Sequence, residues 1–500
     1  MLPMHHWFLR GREVNPTGTA LRVGSLALSY DETHRRAARW ADALRHHRRT
    51  DRTFRIGILS GRNEVRYIGL LAALYAGATA VPVNTHWPVA RQQRVAALAA
   101  LDVIVCDEVH DADADHGDAD HVRIPRMFGP EDQAAAEAAG REYIAVEPRE
   151  EAYLLFTSGS TGDPKGVPIS HRNIDAFLTA VLTCYDIGPG DVFSQVHEPT
   201  FDLAMFELFA AWGSGACVCA VSKLQAMNPG RCAATWGITV WTTTPSMAAL
   251  SLQRGRVREG SMAGLRYSVF CGEPLPVGVS HAWQSAAPSA TLDNLYGPTE
   301  ATVACTRFRM APGGVTPADL GGVETVPIGA PLPGVDCVIS EEDELLLAGP
   351  QVFAGYLGAG AEPFVTRNGR RWYSTGDVVR TVADHGLVHG GRLDDQVKVN
   401  GYRLEPGEVE NAIRRHAPDS SPGVVAAPLD DGTAVLCAFL AHFAGDVRSV
   451  REALGAELPA YMVPGHLWRL DALPLNANGK TDRAMLRELA VRNLAHTTGR

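Results

Sequence analysis

Tyr153-Leu-Leu-Phe-Thr-Ser-Gly-Ser-Thr-Gly-Asp-Pro-Lys-Gly166 is an apolar, strand-like run that empties into Ser, Thr, Gly, Asp, Pro and Lys. Glycines at 159, 162 and 166 let backbone amides approach an anion closely and adopt positive φ. The hydroxyls of Thr157, Ser158, Ser160 and Thr161 add donors, and Lys165 adds a positive charge. The stretch reads as a phosphate-cradling loop at the end of a buried strand. It is not the P-loop pattern, because Gly-x-x-x-x-Gly-Lys-Ser/Thr cannot be laid over it. A flexible Gly/Ser linker would not open from a buried strand and carry Pro-Lys-Gly.

Outward from that loop, the chain alternates strand-like and helix-like segments. Arg55-Ile-Gly-Ile-Leu-Ser60 reads as a buried strand, an Ala/Leu-rich helix follows, and another strand ends at Val81-Pro-Val83. This alternation predicts βαβ units and a parallel sheet. His34 to Arg48 reads as a basic helix with a solvated face. Residues 110–121 are low-complexity and acidic and read as a solvated loop. Five hundred residues are too many for one core, so at least two domains are expected. A boundary is placed at 393/394, with a smaller α+β unit over 394–500. The net charge of -10 argues against sequence-wide binding to nucleic acid or to an anionic membrane. No apolar run approaches the roughly 20 residues a spanning helix needs. The N-terminus lacks a basic segment followed by an apolar segment of signal-peptide length. Nine cysteines are scattered, and Cys217-Val-Cys219 reads as a core strand rather than a metal site. A reduced, cytoplasmic chain is expected.

Four more segments carry chemistry. Asn294-Leu-Tyr-Gly-Pro-Thr-Glu300 sets an aromatic ring, a turn, a hydroxyl and a carboxylate within seven residues. Tyr296 can stack on a base, and Glu300 is a hard oxygen ligand suited to Mg²⁺ beside phosphates. Tyr373-Ser-Thr-Gly-Asp377 offers a carboxylate that can accept two ribose hydroxyls. Gly391 to Arg403 concentrates Arg392, Arg403 and Asp394 at the expected boundary, and Asn476-Ala-Asn-Gly-Lys480 presents a lysine on a turn.

Together and in this order the five motifs resemble the adenylate-forming superfamily: acyl-CoA synthetases, luciferases and the adenylation domains of nonribosomal peptide synthetases. The resemblance runs from about residue 25 to 485. It implies a large N-terminal domain of two α/β sheet subdomains plus a β-barrel-like subdomain, and a small mobile α+β C-terminal domain. It also implies two half-reactions: a carboxylate attacks the α-phosphate of ATP to give an acyl-AMP, and a thiol then displaces AMP. By the same resemblance, Thr157 to Gly166 hold the β- and γ-phosphates. Gly272, Glu273, Pro274, Asn294 and Tyr296 form the adenine pocket. Thr299 contacts the α-phosphate, Glu300 binds Mg²⁺, Asp377 and Arg392 hold the ribose, Asp394 is the hinge and Lys480 bridges carboxylate and α-phosphate. Pro406 departs from the family pattern, at a first helical turn where proline is tolerated.

His197 to Phe209 selects the branch. Asp202 lies among apolar residues, where a carboxylate is costly unless it meets a cation. Amino-acid-activating members of the superfamily resemble this segment, and there the matching Asp pairs with the substrate ammonium. Asp202 is also placed to cap a helix starting at Leu203, and the two roles can coexist. Motif spacing places Leu203, Phe206, Thr242, Val269, Cys271, Leu295, Val303 and Ala304 around the substrate. Apart from Asp202 and Lys480 this set has no charge. It resembles pockets for proline, alanine and other small or medium apolar amino acids, with a β-amino acid as the main rival. The chain ends twenty residues after Lys480 and shows no Gly-Gly-x-Ser attachment motif. It therefore looks like a free-standing enzyme whose acceptor is the phosphopantetheine thiol of a separate carrier protein. An acyl- or aryl-CoA ligase would lack the acid at 202, and a non-catalytic nucleotide-binding protein would have lost Lys165, Glu300, Asp377 or Lys480.

Overall fold

The structure, a computed structural model, describes residues 1–49, 51–107, 120–123, 143, 145–147, 149–159, 163–310, 314–320, 322–358, 363–399, 401–429, 433–476 and 481–498. The acidic run over 110–119, Ser160, Thr161, Gly162 and Lys480 lie outside them. Asp120 and His121, at the end of that acidic run, belong to the strand Asp120–Arg123 rather than to a loop.

Strand propensity and near-continuous apolar runs build two sheets back to back. A six-stranded sheet runs Asp120–Arg123, Val103–Cys106, Arg55–Leu59, Thr79–Val83, Glu151–Thr157, Lys165–Ser170. All pairs are parallel except the last, in which the strand carrying Tyr153 turns back through the phosphate-type loop onto Lys165–Ser170. A nine-stranded sheet has the parallel centre Thr291–Tyr296, Tyr267–Phe270, Val240–Thr243, Val192–Gln195, Cys217–Ala220 and Thr19–Val23. Antiparallel strands close both its edges. The Cys217-Val-Cys219 strand is core, as its composition suggests, and all nine cysteines are free.

The helix Leu203–Gly213 is apolar on every side, and all eleven of its residues are buried. Such a helix is stable only inside a protein. It lies in the core cluster that also takes residues from both sheets, and it packs on the N-terminal helix Met4–Val14. Trp212 on it donates to the carbonyl of Ala20 at 3.0 Å.

A five-stranded antiparallel sheet follows, Asp336–Ile339, Glu344–Ala348, Phe364–Arg367, Arg370–Val382 and Gly386–Arg392, where a barrel-like subdomain is expected. Beyond it, the small unit has a three-stranded sheet, Ser421–Pro428, Ala434–Ala441, His466–Leu470, with separate apolar clusters on its two faces. Its helices are Pro406–His416, Val447–Glu457 and Arg483–Thr498. Pro406 stands in the first turn of its helix, as a proline there can. A hairpin, Val397–Val399 with Tyr402–Leu404, projects from this unit onto the large one. Among the described residues no helix is long and apolar enough to cross a membrane.

Candidate active site

In an open parallel sheet the carboxyl ends of the strands leave a crevice in which ligands bind. Here the register aligns Thr243, Phe270 and Asn294 across three neighbouring strands, so the segments that follow open at one level. The cleft there is lined by Thr157, Ser158, Phe201, Asp202, Cys271, Gly272, Thr299, Asp377 and Arg392 from the large unit. Lys398, Gly401, Tyr402, Arg403 and Tyr461 line it from the small one. Residues from all the described motifs thus meet in one place, although they are spread over 250 positions of sequence.

Two glycines allow the closure. Gly272 has φ +97°, and a Cβ there would stand 3.2 Å from the Phe201 ring. Gly401 has φ +83°, and its Cβ would meet Thr244 at 2.9 Å. Both positions lie in the left-handed region that favours glycine. Gly401 also donates its amide to Glu273 at 2.6 Å, tying the hairpin to the large unit. Tyr402 and Tyr461 stack face to face at 3.8 Å over the opening.

Asp202 sits at the head of the buried helix, 5 % exposed. Its side chain makes no capping bond to the helix's second or third amide, so capping does not account for it. Burial pushes its pKa up to about 6, and the nearby Glu300 pushes in the same direction. The Thr299 hydroxyl, the Leu203 amide and Lys398 oppose the rise. A buried carboxylate so poised is a receptor for a cation.

Below Asp202, the other candidate pocket residues lie in one buried apolar cluster: Leu203, Phe206, Val269, Cys271, Leu295, Val303 and Ala304. Phe206 is walled by Phe177, Tyr185 and Phe193. Burial pushes the Cys271 thiol up to about 12, so it faces the cleft as a neutral group. Val303 has φ +69°, a strained conformation for a β-branched residue. Thr242, the one hydroxyl of the set, donates to the buried Glu207. Glu207 also accepts from the Val196 and His197 amides, the Gln195 side chain and the His197 ring. The Thr242 hydroxyl is therefore occupied, and the floor presents an apolar surface. Glu207 was not foreseen, because one acid in Phe-Glu-Leu-Phe carries no signal of the four segments that converge on it.

The nucleotide-type residues are equally ordered. Burial raises Asp377, but bonding to His389 and the charges of Lys398 and Arg392 outweigh it and hold the carboxylate far below the usual range. Tyr296 donates to it at 2.6 Å and Arg392 at 2.7 Å. Arg392 also forks onto Asp394, two bonds of 2.6 Å. Asn294 donates to the carbonyls of Val326 and Pro327, and its own buried Oδ1 has no partner. Glu300, 1 % exposed, accepts from Tyr356 at 2.7 Å and from Arg403 at 2.9 Å. Among the described residues no group of three or more His, Cys, Asp and Glu is arranged to hold a metal. Arg91, Lys398, Tyr402, Arg403 and Tyr461 join the cleft without having been assigned roles from the sequence. Arg91 and Tyr461 lie in segments with no motif, whereas Lys398, Tyr402 and Arg403 lie in the boundary motif itself. The residues flanking Lys480 are placed by the pairing of Leu475 with Thr481 and by Arg483, which binds Glu410 and Asp395.

Known proteins share this arrangement. The family described as AMP-binding enzyme matches residues 10–357, and the AMP-binding enzyme C-terminal domain matches 408–480. An L-proline--[L-prolyl-carrier protein] ligase of Streptomyces coelicolor is 36% identical over 458 residues, 83% of each chain. A D-alanine--D-alanyl carrier protein ligase of Bacillus licheniformis is 30% identical over 485 residues, covering 92% of this chain and 94% of that one. The solved structure of the Vibrio cholerae adenylation domain AlmE with glycyl-adenosine-5'-phosphate superposes with a TM-score of 0.84, at 26% identity over 98% of both chains.

Proposed function

Because the chain belongs to the AMP-binding enzyme family, we propose that it activates a small or medium apolar amino acid, proline or alanine in size, and loads it onto a carrier protein. In the first half-reaction the amino acid carboxylate attacks the α-phosphorus of ATP, pyrophosphate leaves, and an aminoacyl-AMP forms. In the second, a phosphopantetheine thiol attacks the acyl carbon, loses its proton, and releases AMP as the thioester forms.

The observation that carries this reading is the buried Asp202 carboxylate, raised by burial and set over an apolar floor. It takes the substrate ammonium. The side chain then lies against Phe206, Val269, Cys271 and Leu295, where a charged group would find no partner. Asp377 and Arg392 take the ribose, Asn294, Tyr296 and the Gly272–Pro274 turn the adenine, and Thr157 to Gly166 the pyrophosphate. Lys480 neutralises charge that develops as the carboxylate attacks. Glu300 accepts cationic Arg403 here, a donor set that fits Mg²⁺ as well. When bound, the metal ion would offset the negative charge of the phosphates.

Exchange of labelled pyrophosphate into ATP, run with each amino acid and with its des-amino analogue, tests the proposal. Exchange driven by a small apolar amino acid and not by the des-amino acid is expected. Equal exchange with both would replace this reading with an acyl- or aryl-CoA ligase. Exchange with a β-amino acid alone would move the substrate to that class.

A further inference from the structure

The groups assigned above to magnesium pyrophosphate are engaged in this structure by the small unit. The Gly159 amide donates to Glu408 Oε2 at 3.2 Å, and the other oxygen of Glu408 pairs with Arg91. The Lys165 ammonium lies 3.7 Å from Glu405. Arg403 sets its guanidinium on Glu300. The backbone fixes the register: Ser158 Oγ donates to the carbonyl of Arg403 at 2.8 Å and accepts the amide of Glu405 at 3.1 Å. Glu405 stands at the N-cap of the helix Pro406–His416 but makes no capping bond. Its carboxylate turns instead toward Lys165 and Gln396.

The small unit thus brings two carboxylates to the phosphate loop and its lysine, and one cation to Glu300. These are the charges that pyrophosphate oxygens and a metal ion would bring to the same groups. Both sets cannot be accommodated together: an amide hydrogen already given to Glu408, and a carboxylate already covered by Arg403, are not open to a second partner.

We propose that Arg403, Glu405 and Glu408 are positioning residues for thiol transfer that replace magnesium pyrophosphate in its own subsite, so that the small unit seats only after pyrophosphate has left. The proposal rests on the reading of Thr157 to Gly166 as the phosphate site. It makes the two half-reactions mutually exclusive by competition for shared contacts. It also explains how the buried Arg91, Lys165 and Glu300 keep partners through the second step, since an unpaired buried charge is costly.

The test is calorimetric titration of the full-length chain with magnesium pyrophosphate, which requires neither amino acid nor carrier. Glu408→Gln and Glu405→Gln weaken the internal competitor, so each variant is expected to bind magnesium pyrophosphate about five- to tenfold more tightly than wild type. The Glu405 variant keeps the inquiry open if loss of the buried Glu408 charge impairs folding. Single-turnover transfer from supplied aminoacyl-AMP to the carrier should slow in the same variants. A dye pair spanning the two units should report that magnesium pyrophosphate drives wild type out of the seated orientation. Unchanged or weaker binding by the variants, or an unmoved dye distance in pyrophosphate-bound wild type, overturns the proposal alone. Absence of any binding by wild type overturns the phosphate-site reading with it.

Discussion

Replacing Asp202 by Asn tests the substrate assignment and its energetic cost together. Burial lifts this carboxylate from an ordinary 3.8 to about 6. Two units at 1.36 kcal/mol each make its charged form about 3 kcal/mol less favourable in the fold than in the unfolded chain. That penalty is complete above the folded pKa, shrinks as pH falls from 6 to 4, and is absent below both values. A substrate ammonium offsets it when bound. Asp202→Asn removes the offset, and kcat/KM for the amino acid should fall by about a hundredfold, the factor equivalent to about 3 kcal/mol, with KM for ATP little changed. The des-amino acid should lose much less, so discrimination collapses. Wild-type kcat/KM for the amino acid should drop tenfold per unit below pH about 6, as Asp202 protonates, and the variant should lack that limb. The free variant, relieved of the penalty, should melt a few degrees higher at pH 7. Pyrophosphate exchange and thermal melts measure all of this. A variant with unchanged kcat/KM, or one less stable than wild type at pH 7, would refute the argument that Asp202 is a strained charge held for a cation.

Three other perturbations address separate parts of the site. Lys480→Ala should lower adenylation by orders of magnitude while transfer from supplied aminoacyl-AMP stays largely intact; equal loss in both steps would remove the lysine from its assigned role. Asp394→Pro fixes φ near -65° beside the fork from Arg392 and should impair carrier loading more than adenylation. Carrier loading at the wild-type rate would place the hinge elsewhere. Asp377→Ala leaves Tyr296 and Arg392 without their shared acceptor and should weaken ATP binding by one to two orders of magnitude, measured by calorimetry. Unchanged ATP affinity would show that the carboxylate serves structure and not the nucleotide.

The sequence by itself determined the parts whose physics is local. Apolar runs of four to seven residues specify buried strands, and Arg55–Leu59, Thr79–Val83 and Glu151–Thr157 stand where they were read. The Gly, Ser, Thr and Lys content of the following loop marks anion chemistry before any neighbour is known. Asp202 stood out because a charge amid Phe and Leu is costly in any fold. Tertiary structure alone decided which charges meet. Nothing local announces that Glu207 gathers Gln195, His197 and Thr242, that Arg91 pairs with Glu408 across 317 positions, or that Arg403 covers Glu300. Those pairings depend on how two separately folded units seat on each other. A polar side chain's role is set by the partner that desolvation forces on it, and that partner is fixed only when the chain is closed.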